Sequence, residues 1–411
     1  MRVNELTSAF AFSLWLSLTM FVGLLNGDRA FGDQFPDRGR LVIIGGALKS
    51  DHAAIYRAFL EGTSAGSRVA VIPLASGVPE RSGPLTVGDL RQYSEEPELI
   101  DDTALRHDQP ELLKTAEVAG ELASCGALWF TGGDQIRILR AMRPETGDTL
   151  SYAAVLEVLA KGGTVGGTSA GAAMMSEWMI TGGRSADAML LGANPGYDVP
   201  GVGYVQGMGL FGYGLVDQHF LRRGRFGRLL VAMDHLDTRL GFGVSENSAM
   251  VVDLGVGEAR VIGDHGLTMI DLASSEREGH GWSGVRLSVL SEGDVVDLEL
   301  GEAAIAEGRV EAKQERVVIS EYAAELGVWD NYAVLRMVEA LADDRGRVVM
   351  ATDDNYVYRM TADEESRFFL RGEGDGRSLT AVGVRLDIEP VDGIEGRVAE
   401  RLAAIERRES E

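Results

Sequence analysis

From residue 40 to about residue 171, short continuous apolar runs alternate with longer stretches whose apolar residues recur at helical spacing. Continuous apolar runs indicate strands that are buried on both faces, and their alternation with helices indicates a parallel sheet covered by helices. Several runs end in glycine, which places the expected chemistry at the carboxyl edge of that sheet. Strands are predicted at residues 41–46, 68–76, 127–135 and 162–171, and helices at residues 51–60, 111–124 and 151–160.

From about residue 241 the pattern changes to alternation of apolar and polar residues, which is typical of short antiparallel strands. After residue 301 the density of charged residues rises. We predict helices at residues 329–342 and 394–408 in this region, and strands at residues 347–350 and 382–388. The expected fold is α/β, with a mainly parallel sheet flanked by helices and an added mixed α+β C-terminal region.

The N-terminal segment is typical of a targeting sequence. Residues 9–25 are apolar or small throughout, a single basic residue, Arg2, precedes them, and small residues near position 30 offer a cleavage site. We therefore predict a signal peptide over residues 1–32, and a secreted, periplasmic or cell-surface protein. An uncleaved membrane anchor is the alternative, although 17 residues are marginal for spanning a bilayer.

Composition narrows the classes of function. The 411 residues are 45% hydrophobic and 25% charged, which is the balance of an ordinary soluble globular protein. The formal net charge of −24 makes nucleic acid a poor partner, because the chain would repel phosphate backbones. Cys125 is the single cysteine, so internal disulfides and cysteine-rich metal sites are excluded. The six histidines form no close ligand pair, and we expect neither a metal nor an organic cofactor.

The segment Gly-Thr-Ser-Ala-Gly at residues 167–171 carries the clearest candidate chemistry. At a junction between strand and helix, this pattern presents the hydroxyl of Ser169 on a sharp turn. The N–H of Ala170 would serve as an oxyanion donor, and the dipole of the following helix would point at the nucleophile. A glycine-rich turn with a capping serine is the alternative interpretation, and the pattern alone leaves both open.

A nucleophilic serine needs a base, and His219 has the strongest context among the histidines. Glu246 follows an apolar strand and could orient and stabilise the imidazole. The turn that includes Gly133 could supply a second oxyanion donor, and Gln135 could bind substrate. Each of these residues also has an ordinary structural explanation, such as a turn carboxylate or a satisfied histidine.

A row of arginines follows His219 directly: Arg222, Arg223, Arg225 and Arg228. Arg225 and Arg228 are three residues apart and would share a helix face. Such a cluster of arginines is unusual within an acidic protein. It is suited to bidentate binding of a carboxylate. The alternative is a solvated basic helix face.

Taken together, these blocks resemble the cyanophycinase family, whose members are serine peptidases related to aspartyl dipeptidase. The resemblance rests on LVIIGGA, FTGGDQIRIL, GGTSAGAAMMS, VDQHFLRRGRFGRL and GFGVSEN, in that order. It implies a class I glutamine amidotransferase-like fold for a catalytic domain over residues 36–300, with a C-terminal extension of unknown role over residues 301–411. It also implies Ser169 as nucleophile, His219 as general base and Glu246 as orienting acid. The substrate-contact positions that it implies are Gln135, Asp217, Gln218, Arg223, Arg225 and Arg228.

The family hydrolyses multi-L-arginyl-poly-L-aspartate, known as cyanophycin, to β-Asp-Arg dipeptides. The resemblance therefore predicts a secreted serine-type exopeptidase that acts on a polymer or peptide containing Asp and Arg, and it implies a homodimer. Two alternatives remain: an aspartyl or isoaspartyl dipeptidase that acts on short peptides, and a non-catalytic binding protein on a peptidase scaffold.

Overall fold

The computed structural model describes residues 35–103, 105–106, 108–312, 327–342, 348–372 and 378–409. The predicted signal peptide, residues 1–32, lies outside these residues. The helices are α1 (Ala53–Leu60), α2 (Pro79–Arg91), α3 (Ala116–Ala123), α4 (Gln135–Met142), α5 (Leu150–Ala160), α6 (Ala170–Ala173), α7 (Ser185–Leu191), α8 (Phe226–His235), α9 (Ala333–Ala342) and α10 (Ile394–Glu409). The strands are β1 (Arg40–Ile44), β2 (Val69–Ile72), β3 (Ile100–Asp102), β4 (Ala127–Phe130), β5 (Thr164–Thr168), β6 (Trp178–Gly182), β7 (Ala193–Pro195), β8 (Val202–Gln206), β9 (Leu215–Gln218), β10 (Leu240–Val244), β11 (Ala249–Asp253), β12 (Glu258–Ile262), β13 (Leu267–Asp271), β14 (Glu276–Glu278), β15 (Gly281–Leu290), β16 (Val295–Asp297), β17 (Glu302–Ala304), β18 (Val310–Glu311), β19 (Val348–Thr352), β20 (Tyr356–Thr361), β21 (Arg367–Arg371) and β22 (Ser378–Pro390).

The first sheet has a parallel half and an antiparallel half, in the order β17-β16-β12-β11-β1-β5-β4-β2-β3. The neighbouring strands β1, β5, β4, β2 and β3 are parallel. The first four correspond to the continuous apolar runs of the sequence, whereas β3, with the sequence Ile-Asp-Asp, was not predicted. Every residue of β2 and β4 is buried, as expected for strands with helices on both faces. The strands β11, β12, β16 and β17 are antiparallel and extend the sheet from β1. The sheet is therefore mixed rather than mainly parallel, because strands from the alternating region pair with the parallel core.

The second sheet joins the middle of the chain to its C-terminal region. Its order is β18-β21-β22-β15-β13-β10-β9, with β9 parallel to β10 and the other neighbours on this path antiparallel. The long strand β22 pairs with β15 and also with β20, so residues after position 300 supply strands to the sheet that contains β9 and β10. The described residues from position 36 onward belong to one compact unit.

The sequence pattern gives most elements correctly and misses a small sheet. Strands β6, β7 and β8 form a separate three-stranded sheet that the sequence analysis does not predict. The predicted helix at residues 329–342 begins only at Ala333, whereas the charged terminal helix has nearly the predicted bounds. Cys125 is buried, as expected for a small apolar side chain. Among the residues that the structure describes, no helix combines the length and apolar character that crossing a membrane requires.

Candidate active site

The carboxyl end of β1 joins the three loops that carry the candidate catalytic residues. The Ser169 N–H donates to Ile44 O at 3.0 Å, and the His219 N–H donates to Gly45 O at 2.7 Å. The Asn247 N–H, next to Glu246, donates to Gly46 O at 2.8 Å. Three successive carbonyl groups therefore fix the loops after β5, β9 and β10, and these loops come from two different sheets.

Gly46 also makes room for the histidine ring. A Cβ at this position would lie 2.4 Å from Nε2 of His219, and the φ of Gly46 is +102°. The site therefore requires glycine both for the backbone conformation and for the close approach of the imidazole. The sequence analysis did not assign a role to Gly45 and Gly46, although a glycine pair directly after a buried strand is the signal that could have revealed one.

Ser169 lies on a strained turn between β5 and α6. Its φ of 54° and ψ of −107° are unusual for a residue with a side chain, and this conformation is typical of a serine nucleophile at a sharp turn. The flanking glycines permit the turn, because a Cβ on Gly167 would lie 2.2 Å from Gly171 O. Helix α6 is only four residues long, so the expected contribution of a helix dipole is small. The donor available at this end is the N–H of Ala170, which begins the helix and has no intrahelical acceptor.

The side chains of Ser169, His219 and Glu246 form one hydrogen-bonded series. The distance from Ser169 Oγ to His219 Nε2 is 2.9 Å, and the distance from His219 Nδ1 to Glu246 Oε1 is 2.6 Å. With the proton on Nδ1, the ring donates to the Glu246 carboxylate and its Nε2 accepts from the serine hydroxyl. His219 is buried, whereas Ser169 and Glu246 are partly exposed. A partly exposed serine is thus bonded to a buried base.

The surroundings keep His219 in the neutral form that a general base needs. Burial lowers the pKa of His219 below its usual value of 6.5, and the cations of Arg223 and Arg225 lower it further. The hydrogen bond and the charge of Glu246 oppose this shift. The net direction is downward, so the imidazole can accept a proton at neutral pH.

The second cluster lies directly before and after His219 in the chain and centres on Asp217. Arg228 donates to both carboxylate oxygens of Asp217, with Nε–Oδ2 at 2.7 Å and Nη2–Oδ1 at 2.6 Å. Arg225 donates to Asp217 Oδ1 at 3.4 Å and also to the carbonyl of Gln218. Burial alone would raise the pKa of Asp217, but the two guanidiniums hold it below its usual range. Two cations share one buried anion, so the cluster keeps an excess positive charge.

The predicted substrate-contact residues therefore divide into buried and accessible groups. Asp217, Gln218 and Arg228 are buried, Arg225 and Gln135 are partly exposed, and Arg223 is exposed. Burial lowers the pKa of Arg225 to about 9 despite the opposing charge of Asp217, with Arg228 and Arg223 contributing to the decrease.

Two amide side chains in this group have definite local environments. The Gln135 Nε2 donates to Ile180 O at 3.0 Å, which links the start of α4 to the small sheet. The Gln218 Oε1 is buried and accepts no hydrogen bond from the described residues.

The turn that carries the predicted second oxyanion donor, Gly133, passes close to the serine. A Cβ on Gly132 would lie 3.3 Å from the Cβ of Ser169, so the turn that contains Gly133 borders the nucleophile. Gly133 has a φ of +143°, and the following Asp134 N–H is bonded to Ala75 O at 2.9 Å, which fixes the turn.

Two cavities differ in their relation to this site. One of about 420 Å³ opens beside Glu246 and is also lined by Asp264 and Glu292. A larger one, of about 590 Å³, lies near Trp178 at the starts of β9 and β10, away from the catalytic series at their ends. Of the two, only the smaller cavity is lined by a member of the Ser169–His219–Glu246 series.

Comparison with known proteins identifies relatives of the chain. No family model matches it. The cyanophycinase of Trichormus variabilis is 32% identical over 238 residues, which cover 56% of this chain and 73% of the relative. The cyanophycinase of Geminocystis herdmanii is 30% identical over 271 residues, covering 62% of this chain and 93% of the relative.

A peptidase from an acI-B1 Actinobacterium superposes with a TM-score of 0.46 and 17% identity, covering 63% of this chain and 96% of the other. A putative peptidase E protein from Listeria monocytogenes gives a TM-score of 0.34 and 16% identity, covering 52% of this chain and 94% of the other. The sequence relatives decide the assignment, because their identity and coverage confirm the predicted resemblance. The chain belongs to the cyanophycinase family and is a peptidase.

Proposed function

We propose that this protein is a serine-type exopeptidase that hydrolyses cyanophycin and releases β-Asp-Arg dipeptides through a Ser-His-Glu triad. The observation that carries the proposal is the hydrogen-bonded series Ser169, His219 and Glu246 next to a cluster of guanidinium groups. The family relationship supports the substrate, since the relatives named above are cyanophycinases.

In the proposed mechanism, Ser169 Oγ attacks the scissile carbonyl while His219 Nε2 takes its proton. Glu246 accepts the Nδ1–H bond, which holds the ring in the right tautomer and stabilises the imidazolium. The N–H groups of Ala170 and Gly133 stabilise the oxyanion of the tetrahedral intermediate. His219 then donates its proton to the leaving amine, an acyl-enzyme remains, and water activated by the same histidine hydrolyses it.

Charge complementarity supports the choice of substrate. Each side-chain unit of cyanophycin presents a free α-carboxylate and a guanidinium. We assign the carboxylate to Arg223, which is exposed, and to Arg225, which is partly exposed, because both lie close enough to the histidine to affect its pKa. The buried Asp217 and Arg228 hold Arg225 in place, and Gln135 and Gln218 complete the contacts. A carboxylate bound by planar guanidiniums gains both charge and geometric selectivity.

The guanidinium of the substrate needs an anionic partner, and the cavity beside Glu246 supplies carboxylates. Its lining includes Asp264 and Glu292 as well as Glu246. In this proposal, Arg223 and Arg225 bind the substrate carboxylate and the carboxylates of this cavity bind its guanidinium.

The broader assignments from the sequence analysis remain part of this proposal. They are a class I glutamine amidotransferase-like catalytic domain over residues 36–300, a C-terminal extension of unknown role over residues 301–411, a cleaved signal peptide with secretion, and a homodimer. N-terminal sequencing of the protein recovered from its native cell tests the cleavage, and sedimentation of the purified protein tests the dimer.

The experiment that tests the function is incubation of the purified protein with insoluble cyanophycin, while mass spectrometry follows the release of β-Asp-Arg. Ser169→Ala is the active-site variant. Ser124→Ala is the matched control, because Ser124 is exposed at the end of α3, away from the site. We expect product from the wild type and from the control, and none from Ser169→Ala. Hydrolysis of isoaspartyl or aspartyl dipeptides alone would favour the dipeptidase, and no activity on any of them would favour the binding protein.

A further inference from the structure

The segment that contains Trp329 packs directly against the arginine turn, which we define as residues 221–228. The Tyr332 N–H donates to Leu221 O at 2.8 Å, which joins the two segments by their backbones. A Cβ on Gly224 would lie 1.9 Å from Trp329 O, so the two chains approach as closely as their backbones allow. This contact lies outside the family resemblance in the sequence, because Trp329 belongs to the region after residue 300.

The ring of Trp329 occupies the other end of the turn. A Cβ on Gly227, in the first turn of α8, would lie 2.8 Å from Cη2 of the indole. Glycines therefore stand at the two positions of the turn where Trp329 makes its closest approach. Arg225 lies between these two glycines, and Arg223 precedes the first.

Trp329 is itself held in place by the turn between β19 and β20 and by β20. Its Nε1–H donates to Asp353 Oδ2 at 2.9 Å, and the hydroxyl of Tyr358 donates to the same oxygen at 3.1 Å. The Trp329 and Tyr358 rings meet edge to face, with centroids 5.1 Å apart. Such a pair fixes the orientation of the indole as well as its position.

Asp353 is in turn fixed by the backbone. Its Oδ1 accepts the N–H groups of Asn355 and Tyr356, both at 2.7 Å. The Tyr356 hydroxyl donates to Met189 O at 2.7 Å, which ties this part of the chain to α7. A continuous series of contacts thus runs from the second sheet through Trp329 to the arginine turn.

We infer that Trp329 is a positioning residue for substrate binding, which holds the arginine turn so that Arg223 and Arg225 meet the substrate carboxylate. The inference rests on the proposed function, and it gives the C-terminal region a role in substrate affinity. Trp329 makes no hydrogen bond to Ser169 or His219 among the described residues, so it acts on the base only through the charges of Arg223 and Arg225.

The test compares Trp329→Ala and Trp329→Phe with the wild type on soluble oligomers of β-Asp-Arg. At about pH 8, where His219 stays neutral even if the arginines move away, we expect KM to rise about tenfold in Trp329→Ala with kcat nearly unchanged, because a turn that moves loses binding energy rather than catalytic groups. Trp329→Phe keeps an aromatic ring beside Gly227 and loses only the bond to Asp353, so we expect it to restore most of the affinity. Equal KM values in Trp329→Ala and wild type would overturn the inference, as would a fall in kcat alone.

The matched control is Trp282→Ala, which removes an equally large buried ring from β15. We expect it to lower the melting temperature while leaving KM unchanged. An equal rise of KM in Trp282→Ala would show that general loss of packing, and not Trp329, sets the affinity.

A measurement without substrate separates this inference from the proposed function. Hydrogen exchange of the Arg223, Gly224 and Arg225 amides should quicken about tenfold in Trp329→Ala and stay at the wild-type rate in Trp282→Ala. Unchanged exchange in Trp329→Ala would overturn the positioning role even if the wild type proves inactive on the oligomers. An inactive wild type with quickened exchange in Trp329→Ala would instead count against the proposed function alone.

Discussion

At the scale of single residues, the environment of His219 determines whether Ser169 can be activated. Burial and the cations of Arg223 and Arg225 favour the neutral imidazole, and the Glu246 carboxylate opposes them. The balance keeps the base available at neutral pH while the acid still orients the ring. In the proposed mechanism, the same arginines therefore act on both the substrate and the base.

Arg223→Ala should shift the acid limb of the pH profile of kcat/KM upward. Activity is gained as pH rises through the pKa of His219, and loss of a nearby cation raises that pKa. Arg222→Ala is the control, because Arg222 is exposed in the same turn and is not one of the groups that lower the pKa of His219. Profiles of kcat/KM measured from about pH 4 to about pH 8, a range that includes the usual pKa of histidine, check the shift. A limb that moves downward would contradict the assigned electrostatics.

Asp217→Asn should strongly destabilise the fold. The substitution keeps the shape but leaves the Arg225 and Arg228 guanidiniums without their buried anion. Breaking a buried pair in this way costs about 3–5 kcal/mol in the free energy of unfolding. Denaturation in urea measures the loss.

Asp101→Asn is the control for that measurement, because its pair with Arg91 is exposed and should contribute no more than about 1 kcal/mol. Similar losses in both variants would mean that the buried cluster does not stabilise the protein as described.

At the scale of elements, the site depends on how strand ends are joined. The end of β1 accepts one hydrogen bond from each of the three catalytic loops, and Gly46 gives the imidazole its space. A substitution at Gly46 should therefore lower activity by displacing the His219 ring, although no proposed catalytic side chain is replaced.

Gly46→Ala should lower kcat/KM by about 100-fold or more, because its methyl group would displace the His219 ring. Gly66→Ala is the matched control, since Gly66 also has a positive φ, of +76°, but its Cβ would meet no atom within 4 Å. The control should lose about 1–2 kcal/mol of stability and no activity. Steady-state kinetics measure the activity of both variants, and thermal unfolding measures their stability. Equal activities would show that the ring tolerates the added methyl group.

Local pattern was sufficient for most of the elements and for the spacing of the candidate residues, but not for β3 or for the small sheet of β6 to β8. The apolar runs that end in glycine predicted β1, β4 and β5, and the alternation after residue 241 predicted β11 to β13. Pairing between distant strands is not encoded locally, so the sequence did not show that β11 lies next to β1 or that β22 lies next to β15. The small sheet of β6 to β8 was missed because its glycine-rich segments give no clear period.

The same limit applies to the site. The sequence indicated Ser169, His219 and Glu246 by type and context, but burial separates residues of one motif in ways that spacing does not show. Asp217 and Arg223 stand in the same block of sequence, yet Asp217 is 1% exposed and fully paired, whereas Arg223 faces solvent.

At the scale of the whole molecule, the C-terminal region is built into the second sheet. Strand β22 pairs with β15 in the same sheet. The buried ion pair of Arg309 and Asp294 joins the residues after position 300 to those before it. Val285, Leu287 and Val289 of β15 are fully buried within this arrangement. The catalytic loops therefore rest on a scaffold to which both regions contribute.

A chain that ends at residue 300 should fail to unfold cooperatively, because β15 would lose its partner β22 and expose its apolar face. Calorimetry and solubility of the shortened chain, compared with the full chain, test this. A soluble shortened chain with a sharp thermal transition and full activity would show that residues 36–300 fold and work alone.

The central claim is that Ser169 is the nucleophile at the site where cyanophycin binds. Competition labelling with a fluorophosphonate probe tests nucleophile and substrate at once. We predict a single covalent adduct, mapped by peptide mass spectrometry to Ser169, that is absent in His219→Ala and is suppressed when soluble β-Asp-Arg oligomers are added first. An adduct on another residue, or labelling of Ser169 that the oligomers do not suppress, would contradict the account.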